Sequence, residues 1–309
     1  MEKRILLASP RGFCMGVARA VRMLEDALSR GPVYVRRELV HNAALMDRFR
    51  SLGAAVVREV DEVPEGETVV FSAHGVAPSV RERARARGLR VVDTTCPLVE
   101  KVHREAVRLR EEGYTILLIG EPGHKEVEGV TGEAPEHIRL IPSGGTPCPG
   151  CFDGIDGARV AWLSQTTLHV DETARIVEEL RRRFPLIQGP PASDICRATR
   201  DRQAAVKRIA GECGLFLVVG SGNSSNTRRL TEVAAQAGAG RALRVDGPEE
   251  LEAVDFSGVE TVGVSSGAST AEEQLNRVLS ALKDRGYTRV EERAEVRDPA
   301  GENRDGLRA

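Results

Sequence analysis

Three cysteines of this 309-residue chain, Cys14, Cys96 and Cys196, have similar surroundings. Each follows an extended segment and stands where a stretch of helical periodicity begins. The N–H groups and the positive dipole end of a helix N-terminus favour the thiolate form of cysteine. Three thiolates leave open the fourth position of a zinc ion, or one iron of a cubane iron–sulfur cluster. The pattern therefore predicts a catalytic metal centre of one of these two kinds.

Polar loops follow the cysteines at nearly constant spacing. His41, His124 and Ser224 lie 27, 28 and 28 residues after their cysteines. A second polar loop comes later in each repeat, again between an apolar run and a helical stretch. Imidazole, hydroxyl and amide groups near helix N-termini bind anions well. We therefore expect a phosphate or diphosphate to be bound by the polar residues of these loops: His41, His74, His124, Ser224, Ser225, Asn226 and Ser269.

Glu126 is the carboxylate placed to act as an acid in this predicted site. It lies two residues after His124, and Thr166 lies in the second polar loop of the same repeat. A carboxylic acid can donate a proton to a reacting group, and a nearby hydroxyl can orient or relay that proton. Glu126 and Thr166 are therefore candidate catalytic residues.

Nucleotide-binding motifs are weak in this sequence. It has no G-x-x-x-x-G-K-[ST] loop and no acidic metal-binding cluster, which disfavours a nucleoside triphosphate with magnesium. Gly220 and Gly222 follow an apolar run as in a dinucleotide fingerprint, but Ser225 occupies the position of the third glycine. Since no flavin or nicotinamide motif is present, electrons for a redox reaction would have to come from outside.

The elements that must position these residues form an alternating α/β pattern. Short runs rich in Val, Ile and Leu alternate with charged stretches of helical period, which is typical of parallel sheets. Because the loops recur after roughly 80 to 100 residues, we expect three small α/β domains around a central cavity, related by a pseudo-threefold axis. The expected units are residues 1–95, 96–195 and 196–285, one cysteine in each, and residues 286–309 are expected to form a mobile tail.

Particular elements can be predicted from the same periodicity. The predicted strands are 4–8, 68–72, 90–92, 115–119, 159–163, 215–219 and 261–264. The predicted helices are 17–29, 78–87, 97–111, 171–184, 200–212 and 270–284.

Charge and hydropathy narrow the possible partners. The 44 Lys and Arg residues against 46 Asp and Glu residues give a formal net charge of −2. Such a balance, without a block of like charges, offers no field that would attract nucleic acid or an anionic membrane. The apolar run at residues 5–8 is too short for a secretory signal, and no run approaches the ~20 residues of a membrane helix. We therefore expect a cytoplasmic globular protein with no nucleic-acid or membrane partner.

Eight motifs carry a resemblance to a known family. They are PRGFCMGV at 10–17, HN at 41–42, SAHG at 72–75, DTTCP at 93–97, GHKEVEG at 123–129, SQTTL at 164–168, DICRAT at 194–199 and NSSN at 223–226. In this order they resemble the motifs of the 4-hydroxy-3-methylbut-2-enyl diphosphate reductase family, also called LytB or IspH. The resemblance extends over residues 5–285.

The resemblance implies a fold, a reaction and residue roles. The fold would be a trefoil of three α/β domains with parallel-type sheets. The reaction would be the two-electron reductive dehydroxylation of an allylic diphosphate to isopentenyl and dimethylallyl diphosphate, the last step of the non-mevalonate isoprenoid pathway. The three cysteines would hold one [4Fe-4S] cluster whose open iron binds the substrate hydroxyl. Glu126 would supply protons, His124 would take part in their delivery, and Thr166 would contact the leaving oxygen beside the diphosphate-binding loop residues.

A partner is implied as well, and two alternatives stay open. The resemblance implies an external electron donor such as a ferredoxin or a flavodoxin. The residues alone are also compatible with a zinc hydrolase or lyase that uses the same three cysteines. A third possibility is a cluster-containing sensor that binds a phosphate ligand without turning it over.

Four further residues either depart from the family pattern or lie outside the predicted site. Lys125 stands where the family commonly has proline, between His124 and Glu126. Cys148 and Cys151 form a C-x-x-C pair outside the family pattern, and no second pair completes a zinc site. We expect these two to be incidental surface cysteines or a facultative disulfide. Cys213 ends an amphipathic stretch and is expected in the core.

Overall fold

The structure is a computed structural model that describes residues 3–144 and 149–293. These residues form two compact units. One unit contains residues 3–14, 41–43 and 197–293, and the other contains 15–40 and 44–196 except for the gap. In the described part of the chain, no helix has the length and apolar character needed to cross a bilayer.

Twelve β-strands and nine α-helices occur in the described residues. The strands are β1 (Arg4–Ala8), β2 (Val33–Arg36), β3 (Ala54–Val57), β4 (Thr68–Phe71), β5 (Arg90–Asp93), β6 (Thr115–Gly120), β7 (Ile138–Pro142), β8 (Val160–Ser164), β9 (Leu215–Val219), β10 (Ala242–Val245), β11 (Thr261–Ser266) and β12 (Arg289–Arg293). The helices are α1 (Met15–Leu28), α2 (Ala43–Ser51), α3 (Pro78–Ala86), α4 (Pro97–Glu111), α5 (Lys125–Thr131), α6 (Val170–Arg183), α7 (Arg197–Ala210), α8 (Ser225–Gln236) and α9 (Glu272–Asp284).

The first unit is built on one parallel sheet, sheet III, with strand order β10-β9-β11-β1-β12. Successive side chains of a strand point to opposite faces. Ile5 and Leu7 accordingly pack with residues of α9, while Leu6 and Ala8 pack with residues of α7 and α8. Both faces are covered, so the central strands are apolar without alternation, as expected for a buried parallel sheet.

The second unit contains two parallel sheets. Sheet I has the order β3-β2-β4-β5, and sheet II has the order β7-β6-β8. Each sheet has hydrophobic clusters of its own, such as Val69 and Phe71 with Val80 at sheet I and Leu117 with Ile176 at sheet II. The described residues therefore form three separate parallel α/β sheets, as the sequence predicts.

The three sheets share one strand order. The strand before each first polar loop (β2, β6 or β9) lies between an edge strand and the strand before the second polar loop (β4, β8 or β11). The segment that leads to a cysteine lies beside the strand before the second polar loop. That segment is β5 before Cys96 and β1 before Cys14, and in sheet II it is Gln188, which forms a parallel bridge to Ala161 ahead of Cys196.

This order differs from the predicted units in two respects. First, each cysteine follows a segment that pairs within a sheet, beside the strand before the second polar loop, instead of heading a new sheet. Strand β1 lies in the sheet formed by β9 to β12 although it belongs to the predicted unit 1–95. Second, residues 289–293 of the predicted tail form β12, which pairs with β1 and is held partly by Arg11 bonded to Glu292. Residues 294–309 lie outside the described residues. The boundaries at 95 and 195 stay a prediction.

Candidate active site

The three predicted cysteine ligands directly precede helices. Cys14 comes before α1, Cys96 is the N-cap of α4, and Cys196 comes before α7. All three are half-buried thiols. Cys213 differs from them because it is 4% exposed in the sheet III core, where burial raises the pKa of its thiol to about 12. The prediction that Cys213 is a core residue is confirmed. Cys148 lies outside the described residues, as does the side chain of Cys151.

The predicted site residues are divided between the two units. The residues that the second unit contains are Cys96, Cys196, His74, His124, Glu126 and Thr166. The residues that the first unit contains are Cys14, His41, Ser224, Ser225, Asn226 and Ser269.

Glu126 and Thr166 are in direct contact, as their positions in the two loops of one repeat predict. Thr166 donates its backbone N–H to Glu126 Oε1 at 2.7 Å and its hydroxyl to Oε2 at 3.0 Å. Glu126 is 2% exposed and Thr166 4% exposed. Burial raises the pKa of the Glu126 carboxyl to about 7, although both hydrogen bonds from Thr166 lower it. A carboxyl group with this pKa can hold or release a proton near neutral pH.

His124 is both the N-cap of α5 and a neighbour of His74. The N–H of Glu126 donates to His124 Nδ1 at 3.2 Å, which leaves the proton of the neutral imidazole on Nε2. The two histidine rings meet edge to face with centroids 5.5 Å apart. His74 Nδ1 lies 3.3 Å from the Ser72 hydroxyl. The pair therefore presents two imidazoles on neighbouring loops of sheets I and II, a donor set suited to an anion.

His103 of α4 packs behind these two histidine loops, and sequence reasoning missed it. Its Nδ1 lies 2.7 Å from Glu133 Oε1, and the ring is 4% exposed. Its Nε2 is buried and has no partner among the described residues. A Cβ built on Gly75 would lie 2.7 Å from this Nε2, and one on Gly129 would lie 3.3 Å from it. The His103 ring thus occupies the space beside Gly75 of the His74 loop and Gly129 of α5, where a larger residue would meet it.

Asp194, the first residue of the motif DICRAT at 194–199, is a second buried acid. It is 3% exposed, accepts the Ser164 N–H at 3.0 Å, and pairs with Lys101 Nζ at 3.2 Å. Burial raises the pKa of Asp194 to about 6, although Lys101 lowers it. This pair connects the segment before Cys196 with α4, the helix that begins after Cys96.

The polar loops of the first unit are buried and bonded to one another. Ser224 is the N-cap of α8 and accepts the Thr227 N–H at 3.3 Å. Ser269 donates its hydroxyl to the His41 carbonyl at 2.9 Å, and Asn42 donates Nδ2 to the Ser269 carbonyl at 2.7 Å. Since these loops begin α2 and α8, they place hydroxyl and amide groups beside two helix N-termini.

Signals for the missed residues are present in the sequence. His103 lies on the apolar face of α4 with Val99, Val102 and Ala106, so its periodicity indicates burial. An acid also precedes two of the three cysteines by two or three residues, as Asp194 and as Asp93, which accepts the Thr95 N–H at 2.9 Å. The recurrence of an acid just before Cys96 and Cys196 is therefore a sequence signal that points to Asp93 and Asp194.

Comparison with known proteins gives the family. The family described as LytB protein matches residues 5–283. The chain belongs to the LytB family of 4-hydroxy-3-methylbut-2-enyl diphosphate reductases. Curated proteins named 4-hydroxy-3-methylbut-2-enyl diphosphate reductase are 51% identical in Rhodococcus jostii over 295 residues (94% of this chain, 86% of that protein) and 53% identical in Leifsonia xyli subsp. xyli over 296 residues, with the same shares covered.

Solved reductase structures have the same fold as this LytB protein. The Plasmodium falciparum E-1-hydroxy-2-methyl-but-2-enyl-4-diphosphate reductase is 32% identical, with a TM-score of 0.90 over 96% of this chain and 93% of that chain. A second structure is described as (E)-4-hydroxy-3-methyl-but-2-enyl diphosphate reductase, the terminal enzyme of the non-mevalonate pathway. It is also 32% identical, with a TM-score of 0.64 over 91% of this chain and 99% of that chain.

Membership in the LytB family confirms several predictions. The α/β fold class, the oxidoreductase activity and the role in isoprenoid biosynthesis by the non-mevalonate pathway are as the sequence predicts. A metal-cluster enzyme is what this family implies. The zinc hydrolase and the phosphate sensor, which the residues alone left open, are disfavoured by it.

Proposed function

We propose that this reductase converts 4-hydroxy-3-methylbut-2-enyl diphosphate to isopentenyl and dimethylallyl diphosphate, with Glu126 as the source of protons. The substrate takes up two electrons and two protons, its C–O bond breaks, and its hydroxyl oxygen leaves as water. The observation that supports the role of Glu126 is its contact with Thr166: a fully buried carboxyl with a pKa of about 7, hydrogen-bonded to a hydroxyl.

We propose further that Cys14, Cys96 and Cys196 hold one [4Fe-4S] cluster. The donor set fits such a group, because three half-buried thiols precede helices whose N-termini favour the thiolate that binds iron. Cys213 does not fit, since burial raises the pKa of its thiol to about 12. When bound, the cluster supplies electrons and one iron without a protein ligand.

Glu126 and Thr166 form the proton-delivery pair of this proposal. In its neutral form Glu126 carries a proton on one oxygen, and the Thr166 hydroxyl 3.0 Å from Oε2 is placed to receive it and pass its own proton on. His124 contributes through Nε2, which carries a proton because Nδ1 accepts the Glu126 N–H. Burial of Glu126 keeps bulk water from its carboxyl, so the proton is held until substrate chemistry takes it up.

The diphosphate is proposed to be bound by the residues of the polar loops. Imidazoles come from His41, His74 and His124, and hydroxyl and amide groups come from Ser224, Ser225, Asn226, Ser269 and Thr166. Support comes from their places at the starts of α2, α5 and α8 and after the ends of β4, β8 and β11. Helix N-termini attract anions through unpaired N–H groups and the helix dipole.

Electrons are proposed to come from a separate protein, a ferredoxin or a flavodoxin, because the sequence has no flavin or nicotinamide motif. A small-molecule allylic diphosphate is the other partner that the family implies. Cytoplasmic location stays a prediction.

The experiment that tests the ligand set is metal analysis of anaerobically prepared protein. Wild type is compared with Cys14→Ser, Cys96→Ser and Cys196→Ser, and iron, sulfide and the EPR signal are measured. The matched controls are Cys213→Ser and a Cys148/Cys151 double serine variant. We expect about four irons in wild type and both controls, and loss of the EPR signal in each of the three ligand variants.

Two results would contradict the proposal. Zinc in place of iron would leave no route for electrons, and iron that depends on the Cys148/Cys151 pair would place the cluster elsewhere. For the acid, Glu126→Gln is expected to keep the iron and lose turnover, so that the two parts of the proposal are tested separately.

A further inference from the structure

One hydrogen-bond pattern recurs at all three cysteines. Each cysteine N–H donates to the carbonyl of the second residue after a strand: Cys14 to Ala268 at 3.1 Å, Cys96 to Ala73 at 3.0 Å and Cys196 to Thr166 at 3.0 Å. These strands are β11, β4 and β8, each next to the segment that leads to the cysteine it serves. The acceptor residue therefore fixes where the cysteine begins its helix.

The residue whose carbonyl accepts the cysteine N–H also donates its own N–H to an acceptor in the first polar loop. Thr166 donates to Glu126 Oε1 at 2.7 Å in sheet II, and Ala268 donates to Asn226 Oδ1 at 2.9 Å in sheet III. Glu126 lies two residues after the cap His124, and Asn226 lies two residues after the cap Ser224. The two side chains are thus structural equivalents in the two repeats.

Sheet I makes the same connection without a side chain. Ala73 donates its N–H to the backbone carbonyl of Leu39 at 3.2 Å, and Ala44, two residues after Asn42, offers no side-chain acceptor. In sheets II and III the acceptor is a side chain, which substitution can change. In sheet III this side chain carries no charge at all, so its effect on the cysteine can be separated from proton donation.

We infer that Asn226 is a positioning residue for Cys14, acting through the Ala268 peptide, in addition to the diphosphate contact proposed above. Because the Ala268 N–H requires an acceptor, the Asn226 carboxamide must turn Oδ1 towards it. Its Nδ2 lies 3.4 Å from the Thr199 hydroxyl, and the side chain is 4% exposed. Only the Nδ2 side of Asn226 is therefore left for a ligand, while Oδ1 holds the loop behind Cys14.

This inference rests on the proposed role of Cys14 as a cluster ligand. Removing Oδ1 leaves the part-buried Ala268 N–H without its acceptor, so the loop shifts and the Cys14 N–H loses a fixed carbonyl. A thiolate whose peptide moves binds iron less firmly and alters the hydrogen bonds around the cluster. Asn226 should accordingly affect the cluster even when no substrate is present.

The test compares Asn226→Leu, which has similar volume and no acceptor, with Asn226→Asp, which keeps an acceptor oxygen. Thr231→Val is the matched control, because it removes a hydroxyl of the same helix, which donates to the Thr227 carbonyl, and leaves the acceptor of the Ala268 N–H in place. The rate of iron loss to a chelator, the EPR spectrum and the midpoint potential of the substrate-free enzyme are measured. Asn226→Leu should lose iron about fivefold faster, the factor that one net hydrogen bond represents, while iron loss in the other two variants stays close to wild type. The spectrum and the potential should shift in Asn226→Leu and not in Thr231→Val. Asn226→Asp is compared by iron loss alone, because its added charge by itself alters the potential.

Amide exchange in cluster-free protein keeps the inference separate from the ligand set. In Asn226→Leu the Ala268 and Cys14 amides should exchange about fivefold faster than in wild type, and in Thr231→Val they should not. Wild-type exchange and iron retention in Asn226→Leu, with only KM raised, would show that Asn226 serves the substrate alone and overturn the inference. If Cys14→Ser keeps its iron while Asn226→Leu still deprotects both amides, the ligand set has failed, and the cluster role inferred for Asn226 with it.

Discussion

Thr166 holds both oxygens of the Glu126 carboxyl, the backbone N–H at 2.7 Å and the hydroxyl at 3.0 Å. These hydrogen bonds favour the ionised form, yet burial outweighs them and the pKa rises to about 7. The carboxyl is therefore close to half protonated at neutral pH, in a place where the Thr166 hydroxyl is its contact for proton transfer.

Turnover should fall as pH rises through about 7, because Glu126 must be protonated to act as an acid. We expect a decrease of about tenfold per pH unit on the alkaline side, measured as kcat between pH 6 and pH 9 with a chemical reductant. Glu126→Gln should be nearly inactive at every pH. A wild-type profile that stays level to pH 9 would contradict Glu126 as the acid.

Glu126 should also make folding stability depend on pH. Its folded pKa of about 7 lies above the ordinary 4.5, so the folded state loses stability as pH rises between these values. The penalty at pH 8 is about 3 kcal/mol. Urea unfolding of cluster-free protein should show that Glu126→Gln gains stability relative to wild type from pH 5 to pH 8. Parallel curves for the two proteins would mean that Glu126 is not buried as described.

Thr166→Val should raise the pKa of Glu126 further. The variant removes the hydroxyl that stabilises the carboxylate. It keeps the backbone N–H that donates to Oε1 and the carbonyl that accepts the Cys196 N–H. The alkaline limb of the kcat profile should move to higher pH while the maximum falls by about 10-fold or more, because the relay atom is gone. Thr166→Ser keeps a hydroxyl and serves as the control. An unchanged limb in the valine variant would rule out this hydrogen bond as a determinant.

Gly75→Ala should disturb the His74 loop more than backbone strain alone explains. Gly75 has φ +77°, and a Cβ there would lie 2.7 Å from His103 Nε2. Gly88 is the matched control, with φ +63° and nothing within 4 Å of its Cβ. We expect Gly88→Ala to cost about 1 kcal/mol of unfolding free energy. Gly75→Ala should cost about 3 kcal/mol and raise KM. Equal costs would show that His103 yields without effect on the loop.

Lys101→Met should destabilise the protein by about 2 kcal/mol, because it leaves the buried carboxylate of Asp194 without its cation. The value is discounted since the Lys101 side chain is 31% exposed. Thermal unfolding of cluster-free protein measures it, and Lys101→Arg, which keeps the charge, should retain most of the stability. A methionine variant as stable as wild type would mean that Asp194 is neutral in the folded protein.

The sequence predicted seven strands: β1, β4, β5, β6, β8, β9 and β11. All of them except the edge strand β5 are largely buried. Strands β2, β3, β7 and β10 were missed. They are four or five residues long, and each mixes buried with half-buried or exposed positions, so the hydrophobic signal of each is short and weak. Strand β12 was missed for a similar reason. Four of its five residues are charged, and pairing with β1 holds it in the sheet.

Helices α2, α5 and α8 were missed for a functional reason. Each begins inside a polar loop, so residues such as Glu126 and Asn226 that form its first turn look like loop residues in the sequence. The chemistry of the site could be predicted from types and spacing, and the Glu126–Thr166 contact follows from the repeat. The connection from Asn226 to Cys14 could not, because it runs through the backbone of Ala268, which any residue type could supply.

The place of β1 between β11 and β12 affects the order in which the enzyme is made. On the ribosome the neighbours of this strand, β11 and β12, are translated more than 250 residues after it. Cys96 and Cys196 can reach their folded loops while synthesis continues, whereas Cys14 must wait for Ala268. Domains generally fold as units during synthesis. Sheet III, however, combines β1 with β9 to β12, which are distant from it in the sequence. A cluster held by all three cysteines, as proposed above, can therefore be loaded only after Ala268 has been made, and until β11 is made the apolar strand β1 lacks that neighbour in its sheet.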